Sequence, residues 1–118
     1  MVVGHDTDQE RIDRVFHALA DATRRDIVVR TLRDEHSVSA LARLYPMSFA
    51  AVQKHVAVLQ AADLVTKRRV GREQLVGGNV DAIRTASRLL DQLEELWRGR
   101  IDRIGELLAD DPFEGGSP

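Results

Sequence analysis

Apolar residues recur at helical spacing in the first third of the chain and predict two amphipathic helices there. Residues 8–20 form the first, because their apolar side chains fall on one face of a helix. These side chains are Ile12, Val15, Phe16 and Leu19. A second helix is predicted to begin after Asp21, whose carboxylate can cap it. Its buried stripe is predicted to contain Ile27, Val28 and Leu32.

The next segment predicts a break followed by a short third helix. His36–Val38 interrupts the helical pattern and is expected to be extended. Ser39 is a suitable N-cap, so the third helix is predicted over residues 40–45. Pro46 ends it, because the residue before a proline avoids helical geometry.

A fourth helix is predicted from Ser48, its N-cap, to about Ala62. Three residues at helical spacing form its apolar face, namely Val52, Val56 and Leu59. Only residues 46–48 would then separate it from the third helix. Two helices joined by such a turn form a helix-turn-helix, in which the second helix contacts DNA.

A short hairpin is predicted after the fourth helix. Residues 64–70 and 73–76 have the composition of two strands, and Gly71 lies where a tight turn needs a residue that tolerates positive φ. Residues 77–79 are expected to leave the hairpin as a loop.

The last element predicted is one long helix over residues 81–108, roughly 42 Å in length. Its apolar residues recur every seven positions, at Ile83, Leu90, Trp97 and Ile104. A core of this size is too small to cover such a face, so a helix of a second subunit is the simplest partner. The alternative is that the long helix folds back on the first helix of the same chain.

The composition is that of one globular domain, with 118 residues, 43% hydrophobic and 31% charged. We expect the domain to span residues 1–110 and residues 111–118 to form a disordered tail. No apolar run approaches 18 residues and the N-terminal segment is polar, so we expect neither a membrane segment nor a signal peptide. Without cysteine there are no disulfides or thiolate ligands, and we expect a cytoplasmic protein.

The charge distribution is more informative than the net charge of −2. Residues 24–72 contain ten Lys or Arg against four Asp or Glu, whereas residues 1–23 and 73–118 are acidic, at −3 and −5. A basic centre between acidic ends is typical of a localised phosphate-binding surface. The alternative is an ordinary solvated surface whose charges happen to cluster.

The polar face of the fourth helix has side chains suited to a DNA major groove. Gln53 can pair with adenine and Lys54 can contact guanine, beside the small Ala50. Ser48 can touch a phosphate in addition to capping the helix. Phe49 can touch a thymine methyl or instead pack on the preceding helix, and plain solvent exposure is the alternative for any of the polar side chains.

Cationic residues elsewhere are candidates for phosphate contacts. Thr23 and Arg24 begin the second helix, where amides and cations both suit a phosphate, although Arg24 could instead pair with Asp21 or Asp26. On a strand the side chains of residues 67–69 alternate, so Lys67 and Arg69 share a face and Arg68 points away. Arg72, at the hairpin tip, is the best candidate for the minor groove.

Three motifs together resemble the ArsR/SmtB-type family of bacterial winged-helix repressors, over about residues 12–108. ALADATRRDIVVRTL is similar to the second helix of the family, SVSALARLYPMSFAAVQKHVAVLQAADLV to its helix-turn-helix, and TKRRVGREQLV to its wing. The resemblance implies a mainly α fold with a small β-hairpin, about five helices and a long C-terminal dimerisation helix. It also implies a phosphate contact for His55, which could instead be a half-buried residue at the junction with the third helix.

The resemblance further implies that the last helix and the first helix form the dimer interface. The residues assigned to it are Val15, Phe16, Leu19, Leu89, Leu90, Leu93, Trp97, Ile101, Ile104 and Leu108. A ligand-pocket wall is the alternative role for Trp97.

No metal site or other cofactor is expected. The chain lacks the cysteine cluster of thiolate sensors, and its last helix has carboxylates without histidine, which are weak zinc ligands. These carboxylates are Asp91, Glu94, Glu95 and Asp102. Family members usually release DNA when an effector binds, so the resemblance leaves an unknown effector open as a further partner, although the sequence does not identify one.

We therefore expect a homodimeric, sequence-specific DNA-binding regulator, a repressor that binds a pseudo-palindromic operator. The acidic flanks favour a different hypothesis, a winged-helix module that binds proteins and has no DNA target. An enzyme is the least favoured, because no nucleophile and base, glycine-rich phosphate loop or metal cluster occurs at diagnostic spacing.

Overall fold

The computed structural model describes residues 7–109, and within that range the chain has five helices and three short strands. The helices are α1 (Asp8–Leu19), α2 (Ala22–Arg33), α3 (Val38–Ala42), α4 (Phe49–Ala61) and α5 (Val80–Ala109). The strands are β1 (His36–Ser37), β2 (Val65–Val70) and β3 (Glu73–Gly78). The predicted fold class is confirmed, and the predicted tail at residues 111–118 lies outside the described residues.

The chain forms two compact units, one up to Ala86 and one from Ser87 onward. The first unit contains the helix-turn-helix, the hairpin and the first residues of α5. The described part of the second unit is the remainder of α5, which is helical to Ala109.

The core of the first unit lies between the helices and one face of the sheet. Its largest fully buried side chains are Ile27, Leu41, Val52, Val56, Leu59, Leu64, Val65 and Val76. Val15 and Ala18 of α1 join the same cluster, as does Ala86 of α5. The prediction that Leu32 is buried is wrong, since 42% of it is exposed where the last turn of α2 reaches β3.

The three strands form an antiparallel sheet in the order β1-β3-β2. β3 pairs with β2 from Glu73, opposite Val70, to Gly78, opposite Val65. The predicted loop is therefore wrong at Gly77 and Gly78, which belong to the strand. Gly78 allows this close packing, because a Cβ there would lie 2.7 Å from Cγ of Leu32.

The third helix differs from its prediction at both ends. The hydroxyl of Ser37, not that of Ser39, accepts the capping hydrogen bond from the Ala40 amide at 3.0 Å, so β1 leads directly into α3. α3 ends at Ala42, and residues 43–48 connect it to α4. The predicted end at Tyr45 is therefore wrong, since the Leu44 amide donates to the Leu41 carbonyl at 3.0 Å, three residues back instead of four, and this bond ends the α-helix.

α4 begins and ends with well-formed caps. Ser48 caps its start, as predicted. At its end Asp63 adopts φ +59°, and the amides of Asp63 and Leu64 donate to the carbonyls of Gln60 and Leu59, both at 3.0 Å. This is the Schellman arrangement, which turns the chain directly into β2.

Candidate nucleic-acid interface

The exposed face of α4 presents the side chains that the sequence assigned to DNA bases. Four of them are exposed in the structure, namely Phe49, Ala50, Gln53 and Lys54. The opposite face is held in the core by Val52, Val56 and Leu59, each fully buried. Phe49 is 47% exposed, so its ring is not buried against the preceding helix.

Ser48 fixes the start of this face. Its Oγ accepts a hydrogen bond from the Ala51 amide at 3.1 Å, which satisfies one of the first-turn amides of α4. A hydroxyl that accepts this bond can still donate its own proton to a phosphate oxygen. Both predicted roles of Ser48 are therefore compatible with its geometry.

The hairpin of β2 and β3 projects a basic turn. Gly71 has φ +61° and begins the two-residue turn, and Arg72, which follows it, is exposed. A positive φ at the first central position is the geometry that glycine accepts without strain. Lys67 and Arg69 lie on the same face of β2, as predicted from strand alternation.

Arg68 points to the other face and forms a bidentate ion pair with Glu35. Its Nη2 and Nε donate to the two carboxylate oxygens at 2.6 and 2.9 Å. The hydrogen bond from Arg68 lowers the pKa of Glu35 below its ordinary value, and the carboxylate raises the pKa of Arg68. Arg68 thus fastens the hairpin to the connection between α2 and β1, a role that the sequence did not indicate for Glu35.

The side chain of Arg24 forms hydrogen bonds within its own subunit. Its guanidinium donates to the carbonyls of Ala18 at 2.7 Å and His17 at 3.0 Å, which are at the end of α1. Its Nη1 lies 3.3 Å from Nδ1 of His55 on α4. Because a guanidinium only donates, Nδ1 is the acceptor, and a neutral His55 has its ring proton on Nε2.

The start of α2 therefore supports α1 instead of presenting free cations. Arg25 donates to the Leu19 carbonyl at 2.8 Å, adding a third bond to the end of α1. Asp21 caps α2, and the hydrogen bond from the Arg24 amide lowers its pKa below the ordinary value. Thr23 is only partly exposed. Of the predicted phosphate contacts, those at α2 are the ones that the geometry favours least.

A second polar cluster anchors the connection before α4. The Tyr45 hydroxyl donates to Oδ2 of Asp26 at 2.6 Å, and Nε of Arg30 donates to the same oxygen at 2.7 Å. Burial raises the pKa of Tyr45 to about 12, and these two hydrogen bonds lower the pKa of Asp26. Sequence reasoning missed this cluster, because only the fold brings Tyr45 beside α2.

The apolar face of α5 is exposed. Its large exposed side chains from Leu90 onward are Leu90, Leu93, Leu96, Trp97, Ile101, Ile104, Leu107 and Leu108. Leu89 is partly exposed. On α1, Phe16 and Leu19 are partly buried, whereas only 4% of Val15 is exposed. Val15 therefore belongs to the core of the subunit and has almost no surface to offer a partner.

The described part of the chain has neither a cluster of metal ligands nor a membrane-spanning helix. Between residues 7 and 109, no three His, Asp or Glu side chains lie close enough together to hold a metal ion. No helix in this range combines the length and apolar character needed to cross a membrane.

The chain is similar to several known regulators, although no family model matches it. It is 36% identical over 99 residues to the HTH-type transcriptional regulator Rv2034 of Mycobacterium tuberculosis, covering 81% of this chain and 87% of that protein. The structure of an ArsR-like transcriptional regulator from Rhodococcus sp. RHA1 superposes with a TM-score of 0.81 at 32% identity, covering 94% of this chain and 99% of that one. The crystal structure of the ArsR family transcriptional regulator RHA00566 gives a TM-score of 0.73 at 26% identity, covering 80% and 97%.

Proposed function

The chain belongs to the ArsR family of winged helix-turn-helix transcriptional regulators, and we propose that it is a repressor that binds a pseudo-palindromic operator as a homodimer. DNA binding and transcription regulation follow from the family. Repression, the operator and the dimer are the proposal.

The exposed face of α4 beside the basic hairpin is the observation that supports this function best. Gln53 and Lys54 project where a helix in the major groove presents side chains to base edges. Lys67, Arg69 and Arg72 supply positive charge next to it, within a segment whose formal balance is +6. Base contacts from the helix and phosphate contacts from the hairpin are the two components of specific DNA binding.

The exposed apolar face of α5 supports the homodimer. Eight large apolar side chains of a single subunit are in contact with water. Burial of such surface stabilises a complex by about 25 cal/mol per Å², so a partner that covers it is favoured. A second copy of the same helix is the simplest cover, because a two-fold axis pairs identical faces. Two α4 helices held by that axis would enter successive major grooves, at half-sites about 34–36 Å apart.

A binding assay with the promoter of the protein's own gene tests the proposal. A labelled duplex of that promoter should bind at low salt, and the affinity should fall steeply as salt rises, because bound phosphates release counterions. Transcription from the same promoter in vitro should decrease as the protein is added, whereas a promoter without the site should be unaffected.

Two results would contradict the proposal in different ways. If no duplex bound in a salt-sensitive manner, the DNA-binding function would be refuted, and the alternative of a protein-interaction module would be favoured. If the promoter bound but transcription rose, the protein would be an activator, and only the repressor assignment would be wrong.

A further inference from the structure

The base-contacting face of α4 has an unusual chemical composition. Its exposed side chains are Phe49, Ala50, Gln53, Lys54, Ala57, Gln60 and Ala61. Four of the seven are purely apolar, two are amides and one is a cation. The face therefore offers few hydrogen bonds to base edges and a large apolar contact area.

Phe49 is the dominant feature of this face. It is the first residue of α4, directly after the Ser48 cap, and 47% of it is exposed. An aromatic ring here cannot pair with donors or acceptors of the bases. The one apolar group that base pairs present in the major groove is the C5-methyl of thymine.

The polar side chains of this face also favour A·T pairs. Gln53 has the amide geometry for the N6 and N7 atoms of adenine, which is paired with thymine. Lys54 is the only lysine of α4 and its best-suited partner for the guanine acceptors, and α4 contains no arginine, aspartate or glutamate. The helix thus lacks the carboxylate that accepts from cytosine N4 and the fork that binds guanine in bidentate fashion.

We infer that the operator half-site is rich in A·T pairs under α4, and that Phe49 determines part of its specificity by contact with a thymine methyl. Gln53 pairs with an adjacent adenine, and Lys54 contacts at most one guanine of the half-site. This inference rests on the proposed DNA-binding function and adds the base composition of its ligand.

Replacement of thymine by uracil provides the test, because uracil pairs with adenine but lacks the C5-methyl. The half-site is first defined by selecting bound duplexes from a random pool with the wild-type protein. Each thymine of the selected half-site is then replaced singly by uracil, and the dissociation constant is measured at fixed salt. We expect a loss of about fourfold at the thymine under Phe49, the change that corresponds to about 0.8 kcal/mol for one buried methyl group.

Two variants assign the effect to the ring. Phe49→Ala should bind thymine and uracil duplexes equally, whereas Phe49→Leu should keep a preference for thymine. Uracil outside the half-sites is the control for altered DNA shape. Circular dichroism of each variant checks that the total helical content is unchanged, and the scan with the wild-type protein depends on no variant.

The failures are distinguishable. A selected half-site rich in G·C, or a wild-type protein indifferent to uracil at every position, would overturn the inference and leave the DNA-binding function intact. A Phe49→Ala variant that keeps the full uracil effect would show that another residue contacts the methyl and would overturn the role of Phe49. Absence of salt-sensitive binding to any duplex would refute the proposed function itself.

Discussion

At the scale of single residues, Arg24 shows how a cation in a basic segment can serve the fold. Its guanidinium donates to two carbonyls at the end of α1 and approaches His55 on α4. We expect Arg24→Gln to lower the free energy of unfolding by about 1–3 kcal/mol, because hydrogen bonds from a charged donor are lost. The slope of log affinity against log salt should remain unchanged, since no phosphate contact is removed.

Arg72→Gln is the matched control for that prediction. The side chain lies in the exposed hairpin turn, so the variant should keep its stability. Its salt slope should fall by about 0.9 for each subunit on the operator. An Arg24 variant that lost slope to the same degree would show that Arg24 leaves its internal partners and binds phosphate.

Alanine in place of glycine should have opposite effects on stability at a tightly packed position and at an open one. At Gly78 a Cβ would lie 2.7 Å from Leu32, so Gly78→Ala should lower the free energy of unfolding by about 1–3 kcal/mol through overpacking. At Gly99, within α5, a Cβ meets nothing within 4 Å, so Gly99→Ala should add about 0.5–1 kcal/mol of helix stability. Urea unfolding of the two variants measures both changes in the free energy of unfolding. Equal changes in the two variants would contradict the close packing at Gly78.

At the scale of elements, predictions from local chemistry succeeded and those that needed the fold did not. α4 was predicted nearly to the residue, because Ser48 and the buried stripe specify it locally. The start of α3 was predicted too late, because Ser37 caps it and burial of Val38 and Leu41 places the helix two residues earlier than Ser39 indicates. The partners of Arg24 and Glu35 lie on other elements, so no spacing rule could identify them.

The Asp26 cluster joins α2 to the connection before α4 and should make stability depend on pH. Hydrogen bonds from Tyr45 and Arg30 lower the pKa of Asp26 from its ordinary 3.8, so the folded state favours the carboxylate. The resulting stability is present above about pH 4 and is lost as the pH falls through the lowered folded value. Asp26→Asn should therefore be less stable than wild type at pH 7, and the difference should narrow toward pH 2 in urea unfolding.

Tyr45→Phe isolates one bond of this cluster. It keeps the ring but removes the hydroxyl that donates to Asp26. The variant should lose part of the acid dependence and retain the remainder, which is due to Arg30. A pH profile of Asp26→Asn parallel to that of wild type would show that the cluster does not stabilise the folded state through its charge.

At the scale of the whole molecule, the proposed specificity depends on two subunits, because one α4 spans only a few base pairs. Trp97 lies at the middle of the exposed apolar face of α5, with Arg100 6.0 Å from its ring. Trp97→Glu would place a charge in the proposed interface, where burial without a partner is costly. We expect sedimentation equilibrium to shift from dimer toward monomer, and operator affinity to fall at least tenfold.

Arg88→Gln is the matched control, since it changes the charge of α5 by the same amount on the side opposite Trp97. It should leave both the dimer and operator binding intact. The decisive comparison uses a duplex with a single half-site, on which wild type and Trp97→Glu should bind with similar weak affinity if the helix acts only by pairing subunits. A monomeric wild-type protein that still required both half-sites would contradict the role assigned to α5, because the fixed separation of two recognition helices would then have another source.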